Sequence, residues 1–494
     1  MPSALTPRVI PSPASLTLAE GAPFELTRAT QITVVGGNPE VAAIGEGLAT
    51  LLRRATGFPV PVVVSSTGSA SGSIELRLAT DLPALGEEGY RLVVTPDSMR
   101  LVASAPAGLF HGAQTIRQLL PVEIESEIGV ARYIWPIPSL TILDQPRFAW
   151  RGSMLDVARH FLTVREVEQY IDILAMYKLN VLHFGLSNDQ GWRIQINSRP
   201  KLTAVGSLTQ VGGGPGGFYT QQDYQHIVQY AQSRYITIVP EVNMPGHINA
   251  GLVAYPELAC GDEPPVMYTQ IHVRRNTLCV DKEETYAFVD DVVREVSGLT
   301  PGPYLHIGGD EVQTLTPEQY ARFVERAQTI VNKYGKRMIG WEEISKGRLK
   351  PTTLVQQWKS DSATLALQYG AKIILSPAKK MYLDMKYTPT TELGLKWAGT
   401  IDVRDAYDWD PAVYLTGVAE RDIIGVEAPV WSETLRNITA VEYLSMPRLP
   451  AIAEVAWTPQ LSRDWQSFRS RLAAQAPRWH YLGVNYYRSL QIPW

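Results

Sequence analysis

Eight short apolar runs, separated by longer amphipathic stretches, dominate the chain after Arg147. They are Trp150–Asp156, Val181–Ser187, Ile236–Val242, Tyr304–Ile307, Met338–Trp341, Leu354–Trp358, Ile373–Ser376 and Ile423–Val430. Each is strand-length and rich in β-branched or aromatic residues. Val164–Tyr177, Gln221–Ser233, Glu284–Ser297 and Pro317–Lys333, between them, carry apolar residues at helical spacing. Strands alternating with helices imply a parallel sheet, because each strand returns through a crossover. Eight such units over about 350 residues predict a (β/α)8 TIM barrel, an α/β fold. A doubly wound open sheet is the alternative. It is weakened because no Gly-x-Gly-x-x-Gly stands at a strand-to-helix turn.

Residues 1–145 read as a separate small α+β domain, and 146–494 as the barrel domain. In the first, Gln31–Val35 and Ser73–Ala79 read as strands. Tyr90–Val94 and Arg100–Ser104 form a hairpin about the turn Thr95-Pro96-Asp97-Ser98. Val41–Thr56 and Ala107–Leu119 read as helices. The proline-rich stretch Pro136–Pro146 reads as a linker.

Net charge is −4, without a long basic run, so nothing suggests nucleic-acid binding. No apolar stretch reaches the ~18 residues of a membrane span, and Met1–Pro7 shows neither the basic nor the apolar region expected of a signal peptide, which leaves open one removed beforehand. Only two cysteines occur, Cys260 and Cys279, on either side of a loop-like segment that includes Asp262, Arg274 and Arg275. A bridge would close that loop and imply an oxidising compartment; two unpaired thiols are the alternative. No structural zinc site is expected from two cysteines.

In a barrel of this kind the chemistry sits where the strands end. The fourth strand runs into Gly308-Gly309-Asp310-Glu311. On a regular strand, neighbouring side chains face opposite ways, and the two glycines free the backbone to turn both acids into one cleft. Two close carboxylates repel, so one should hold a proton and serve as a donor. Other strand ends bring Asp189, His247, Trp341, Trp358, Asp384, Trp431 and Glu433, with Arg151 on the first strand. Indole faces beside acids and an arginine suit a sugar, whose C–H face stacks while its hydroxyls are hydrogen-bonded. A metal site from His306, Asp310 and Glu311 lacks a recognised ligand spacing.

Together these motifs resemble glycoside hydrolase family 20, the β-N-acetylhexosaminidases, above all secreted bacterial members. The resemblance rests on His306-Ile-Gly-Gly-Asp310-Glu311, Trp150-Arg151, Met154-Leu-Asp-Val-Ala-Arg-His160-Phe and Asp189-Gln-Gly-Trp-Arg193. Met244-Pro-Gly-His247, Gly340-Trp341-Glu342, Tyr382-Leu-Asp384 and Trp431-Ser-Glu433 extend it. It implies exo-hydrolysis of terminal β-linked GlcNAc or GalNAc from glycans or chitooligosaccharides. The substrate's own acetamido group would be the nucleophile, without cofactor or metal. It implies Glu311 as general acid and Asp310 as orienter of the acetamido group, with Tyr382 donating to its carbonyl. Trp341, Trp358 and Trp431 would wall the pocket, with Trp397 at its rim. Arg151, Glu433 and Asp384 would bind ring hydroxyls, and Asp189 and His247 would tune Glu311. It further implies a Cys260–Cys279 loop disulfide and a secreted protein. One departure stands out: the family often has Asp where this chain has Asn243. The GlcNAc-to-GalNAc preference, the natural polymer and the oligomeric state stay open.

Overall fold

The computed structural model describes residues 7–494 apart from 69, 80–84, 131–133, 262 and 274–275. The expectations for Met1–Thr6, Asp262, Arg274 and Arg275 lie outside the described residues. The chain divides into two compact units. One holds the residues up to Arg147, Met176–Lys178 and Pro450–Trp494; the other holds Phe148–Ala175 and Leu179–Leu449.

The first unit is built on a seven-stranded mixed sheet. Its order is Ser15–Leu18, Leu140–Asp144, Tyr90–Thr95, Ser98–Ala103, Ser73–Leu78, Ile32–Val35 and Val62–Ser65. The expected hairpin is present, its turn closed by the pair Thr95↔Ser98. Helices Pro39–Thr56 and Pro106–Leu119 pack on the sheet through Leu48, Leu52, Leu109 and Ile116. Asn38 caps the first helix, and Pro39 sits where a missing N–H costs nothing. The stretch expected as a linker instead contains Leu140–Asp144, an inner strand paired on both sides. Its alternating burial is that of a strand with one face in the core; the flanking prolines hid it. A buried ion pair lies beneath this sheet, where Lys178 Nζ stands 2.9 Å from Asp144 Oδ2.

The second unit is the barrel. Its strands are β1 (Trp150–Asp156), β2 (Val181–Asn188), β3 (Thr237–Val242), β4 (Tyr304–His306), β5 (Arg337–Trp341), β6 (Leu354–Gln357), β7 (Lys372–Leu375) and β8 (Ile423–Val430). Every neighbouring pair is parallel, and β1 pairs with both β2 and β8, so the sheet closes. Helices α1 (Val164–Met176), α2 (Gln221–Gln232), α3 (Glu283–Leu299) and α4 (Pro317–Lys333) fall where the amphipathic stretches predicted them. Thr220 and Thr316 open α2 and α4 with capping boxes.

The barrel interior is apolar at one level, with Trp150, Val181, Val239, Ile339, Leu354 and Ile374 in contact. A charged layer also lies inside. His183 Nδ1 is 2.7 Å from Glu427 and its Nε2 is 3.0 Å from Glu241. Burial alone would push the His183 imidazole down, but the charges of Glu427 and Glu241 lift it to about 9. Trp341 Nε1 donates to Glu241 Oε1 at 3.2 Å, which ties this layer to the indole above it. No helix among the described residues is long and apolar enough to cross a membrane.

Candidate active site

The acid pair begins where β4 ends after three residues. Gly308, Gly309 and Glu311 all take positive φ, 70°, 90° and 56°. Gly308 has no substitute: a Cβ there would lie 2.0 Å from Asn243 Oδ1. Glu311 adopts the same left-handed region with a side chain, a conformation that neighbouring contacts must hold. Tyr320 OH donates to Gly309 O at 2.6 Å. Asn243 accepts from Gly309 N–H at 3.3 Å and donates through Nδ2 to Asp310 Oδ1 at 2.7 Å. The Glu311 N–H donates to Glu343 Oε1 at 3.4 Å.

His247, at the end of β3, reaches three acids. Its Nδ1 lies 3.4 Å from Asp189, and its Nε2 lies 3.3 Å from Asp310 and 3.4 Å from Glu311. Burial would lower its proton affinity. The Asp310 charge and hydrogen bonding to Asp189, Asp310 and Glu311 instead hold it well above the usual histidine range. Asp310 is the other half of that balance. Burial works to raise its carboxyl, but the His247 charge and the Asn243 amide bring it below its ordinary value. The pair is therefore divided in role by its surroundings: Asp310 is held as an anion between an imidazolium and an amide. The Glu311 side chain is 28% exposed, against 11% for Asp310, and faces the pocket.

That pocket is a cavity of about 630 Å³ lined by both acids and by His247. Its walls are aromatic. Trp341 and Trp431 lie 5.7 Å apart, and Trp358 stacks on Tyr382 at 6.3 Å. Trp397, half exposed at the lip, meets the Trp358 and Tyr382 rings edge-on. Burial, then the charge of Asp384, pushes the Tyr382 phenol well up, so its O–H stays a donor. Asp384, buried, and Glu433, half-buried, also line the pocket. Both Asp384 oxygens and Glu433 Oε2 lack a hydrogen-bond partner of good geometry. Burial and the Glu433 charge push Asp384 well up; burial likewise raises Glu433, against the pull of Arg159. Carboxylate oxygens left unmatched beside aromatic rings can accept hydrogen bonds from hydroxyl donors.

One expected residue lies elsewhere. Arg151 starts β1, and its guanidinium donates to Phe148 O at 2.9 Å, fully buried and away from the pocket. Strand starts and strand ends lie at opposite faces of a barrel, so its strand position excludes it. Arg159 occupies the place instead. Asp156, the last residue of β1, accepts from Ala158 N and Arg159 N and contacts Arg159 Nη1 at 3.2 Å. The guanidinium lies 4.9 Å over the Trp431 ring and 4.0 Å from Glu433. The signal was present in the sequence, since Asp156 and Arg159 stand three apart just beyond a strand. Also missed were Ile271, His272 and Val273, which line the pocket, and Glu343, whose Oε2 accepts from Trp358 Nε1 at 3.2 Å. The Cys260–Cys279 disulfide is formed and ties the two ends of the intervening loop together.

Two histidine-carboxylate groups among the described residues are compact enough to surround a cation: His183, Glu241, His306 and His247, Asp310, Glu311. In each, one imidazole stands between carboxylates whose charges raise its proton affinity.

Comparison with known proteins identifies the family. The glycosyl hydrolase family 20 catalytic domain matches residues 148–460, and the family's domain 2 matches residues 6–145. A β-N-acetylhexosaminidase of Cellulomonas fimi is 46% identical over 490 residues, 98% of this chain and 97% of its own. The GH20 β-N-acetylhexosaminidase structure from Streptomyces coelicolor A3(2) superposes with a TM-score of 0.95. It is 48% identical, covering 99% of both chains. A mutant Streptomyces plicatus β-hexosaminidase in complex with its product GlcNAc gives the same TM-score, 0.95. It is 47% identical, over 100% of this chain and 99% of that one. With half its length and more matched by the catalytic-domain profile, this chain belongs to glycoside hydrolase family 20, the β-N-acetylhexosaminidases.

Proposed function

We propose that this chain is a retaining exo-acting enzyme that removes one terminal β-linked N-acetylhexosamine at a time, with the substrate's acetamido oxygen as nucleophile. The observation that carries the reading is the division of the acid pair. Asp310 is anionic between His247 and Asn243, whereas Glu311 projects into the cavity. An anion that is buried and already paired is a poor nucleophile but a good fixed charge. Asp310 accepts the acetamido N–H and stabilises positive charge as the carbonyl oxygen attacks C1. Tyr382 donates to that oxygen, and Trp341, Trp358 and Trp431 hold the acetyl methyl in an attack geometry. Glu311 gives its proton to the departing glycosidic oxygen as the C1–O bond breaks. The bicyclic oxazolinium ion that results is opened by water, from which Glu311 takes a proton back. Both displacements invert C1, so the configuration is retained.

The exo mode is supported by the polar groups gathered beside the aromatic walls. Asp384, Glu433 and Arg159, which line the pocket, would meet the hydroxyls of the non-reducing sugar and cap its far side. Asp189 acts through His247, fixing the imidazole that faces both acids. The Cys260–Cys279 bridge supports an oxidising compartment, consistent with secretion. The test compares 4-nitrophenyl N-acetyl-β-D-glucosaminide with the matching β-glucoside. Rapid cleavage of the first alone is expected. Comparable cleavage of both would demand a carboxylate nucleophile and refute the mechanism.

A further inference from the structure

We propose that Glu343 is a positioning residue for the reaction: one carboxyl group that seats both the backbone of Glu311 and the indole of Trp358. The proposal rests on the reading of Glu311 as general acid.

Glu342 and Glu343 follow β5 directly and divide one task. Glu342 takes the backbone of the Trp358 loop, accepting from Trp358 N at 3.0 Å, Lys359 N at 3.2 Å and Ser360 N at 2.8 Å. It also accepts from Ser360 Oγ, so its lone pairs are well used. Glu343 takes the side chain: Trp358 Nε1 donates to its Oε2 at 3.2 Å. Its other oxygen, Oε1, accepts the Glu311 N–H at 3.4 Å. Three side chains thus hold three successive residues of the left-handed turn. Tyr320 holds Gly309, Asn243 holds Asp310, and Glu343 holds Glu311. The Glu343 link also spans from the proton donor to a wall of the pocket, so a shift in either is felt by the other.

A carboxyl group in this place is expensive to ionise. Asp310 and Glu311 face it from the β4 end, Tyr320 from α4 and Tyr382 from beyond β7, with Glu342 beside it in the chain. Lys346 lies over the Tyr320 ring and Lys359 over the Trp358 ring, and His247 faces Asp310 and Glu311. Burial first and the Asp310 charge second lift Glu343 to about 7. The fold therefore binds this proton more tightly than the unfolded chain does. That advantage is fully present below the ordinary carboxyl range and is lost as pH rises through about 7.

The test is Glu343→Gln, which turns one accepting oxygen into a donor that faces either Glu311 N–H or Trp358 Nε1–H. Turnover of a chitobiose-type substrate, with a poor leaving group, should fall at least about tenfold, and that of the 4-nitrophenyl glycoside less than about threefold. The wild-type kcat profile should bend near pH 7, and the variant's should not. Between pH 5.5 and 8 the melting-temperature difference should move in the variant's favour. Equal losses on both substrates with an unchanged pH profile would overturn the proposal. If Glu343→Gln does not fold, Trp358→Phe removes the same link from the other side. A bend near pH 7 at the wild-type position in Trp358→Phe would equally overturn it. Failure of the general-acid reading is seen separately, as the absence of any leaving-group dependence in Glu311→Gln.

Discussion

Asn243→Asp tests the charge balance of the site most directly. The Asn243 amide is fixed in orientation, because its oxygen accepts Gly309 N–H and its Nδ2 must then face Asp310 at 2.7 Å. The substitution puts a second carboxylate at that distance. Two unit charges 2.7 Å apart repel by about 6 kcal/mol at an effective dielectric of ~20. At about 1.4 kcal/mol per factor of ten, this is roughly four powers of ten in the proton affinity of the pair. The protonated His247 at 3.3 Å offsets part of it. One proton therefore stays on the pair at acid pH, where the introduced carboxylic acid donates to Asp310 much as the amide did. When that proton leaves, Asp310 faces a second anion and the acetamido group loses its fixed partner. Turnover of 4-nitrophenyl N-acetyl-β-D-glucosaminide should be within about threefold of wild type at pH 5 and at least about tenfold lower at pH 8. The sign for stability is the same. The folded pair holds its proton more tightly than the unfolded chain, so the variant is most stable at low pH and loses stability as the proton is released. Thermal melts across the same pH range check this. A constant ratio of variant to wild-type turnover from pH 5 to 8 would refute the argument.

Four further outcomes follow from the same geometry. Glu311→Gln should lose several powers of ten on poor leaving groups and far less on 4-nitrophenyl or more activated ones; equal losses would remove Glu311 as the acid. Arg159→Met should raise KM at least about tenfold, while Arg151→Met should leave KM within about twofold in the fraction that folds; the reverse would restore the sequence expectation. Burial pushes both Asp384 and Glu433 up, and sugar hydroxyls that donate to them favour the anions. GlcNAc binding near pH 6 should release protons, seen by calorimetry in buffers of different ionisation enthalpy, and Asp384→Asn should abolish the release. Lys178→Met strips the ammonium from Asp144, which keeps hydrogen bonds from Tyr90, Trp457 and Ala14. A loss of about 3 kcal/mol in urea unfolding is expected, at the low end for a broken buried pair; no loss would mean the pair contributes nothing net.

What the sequence discloses here depends on whether a residue's neighbours are set by periodicity or by tertiary contact. Barrel strands are buried on both faces, so Val181–Asn188 and Ile423–Val430 read as mostly apolar runs despite His183 and Glu427, and eight such strands alternating with helices predicted the barrel over an open sheet. The acid pair was legible because Gly308 and Gly309 announce a break in strand geometry just before it, and both indeed take positive φ. Leu140–Asp144 was not legible, since its prolines speak for a linker and only its partners Ser15–Leu18 and Tyr90–Thr95 make it a strand. The arginine was misplaced for a related reason. Arg151 and Arg159 lie on the same short stretch of chain, and what separates them is which end of β1 each occupies. That end is fixed by Asp156, whose carboxylate caps the strand and turns Arg159 into the pocket. Glu343 shows the limit more sharply. It stands beside Glu342, identical in type and both at one strand end, yet one takes backbone N–H groups and the other an indole and the acid's own amide. No spacing rule distinguishes them. The distinction arises because the left-handed turn at Glu311 presents its N–H toward β5, so the conformation that aims the acid also creates the need for a neighbour to hold it.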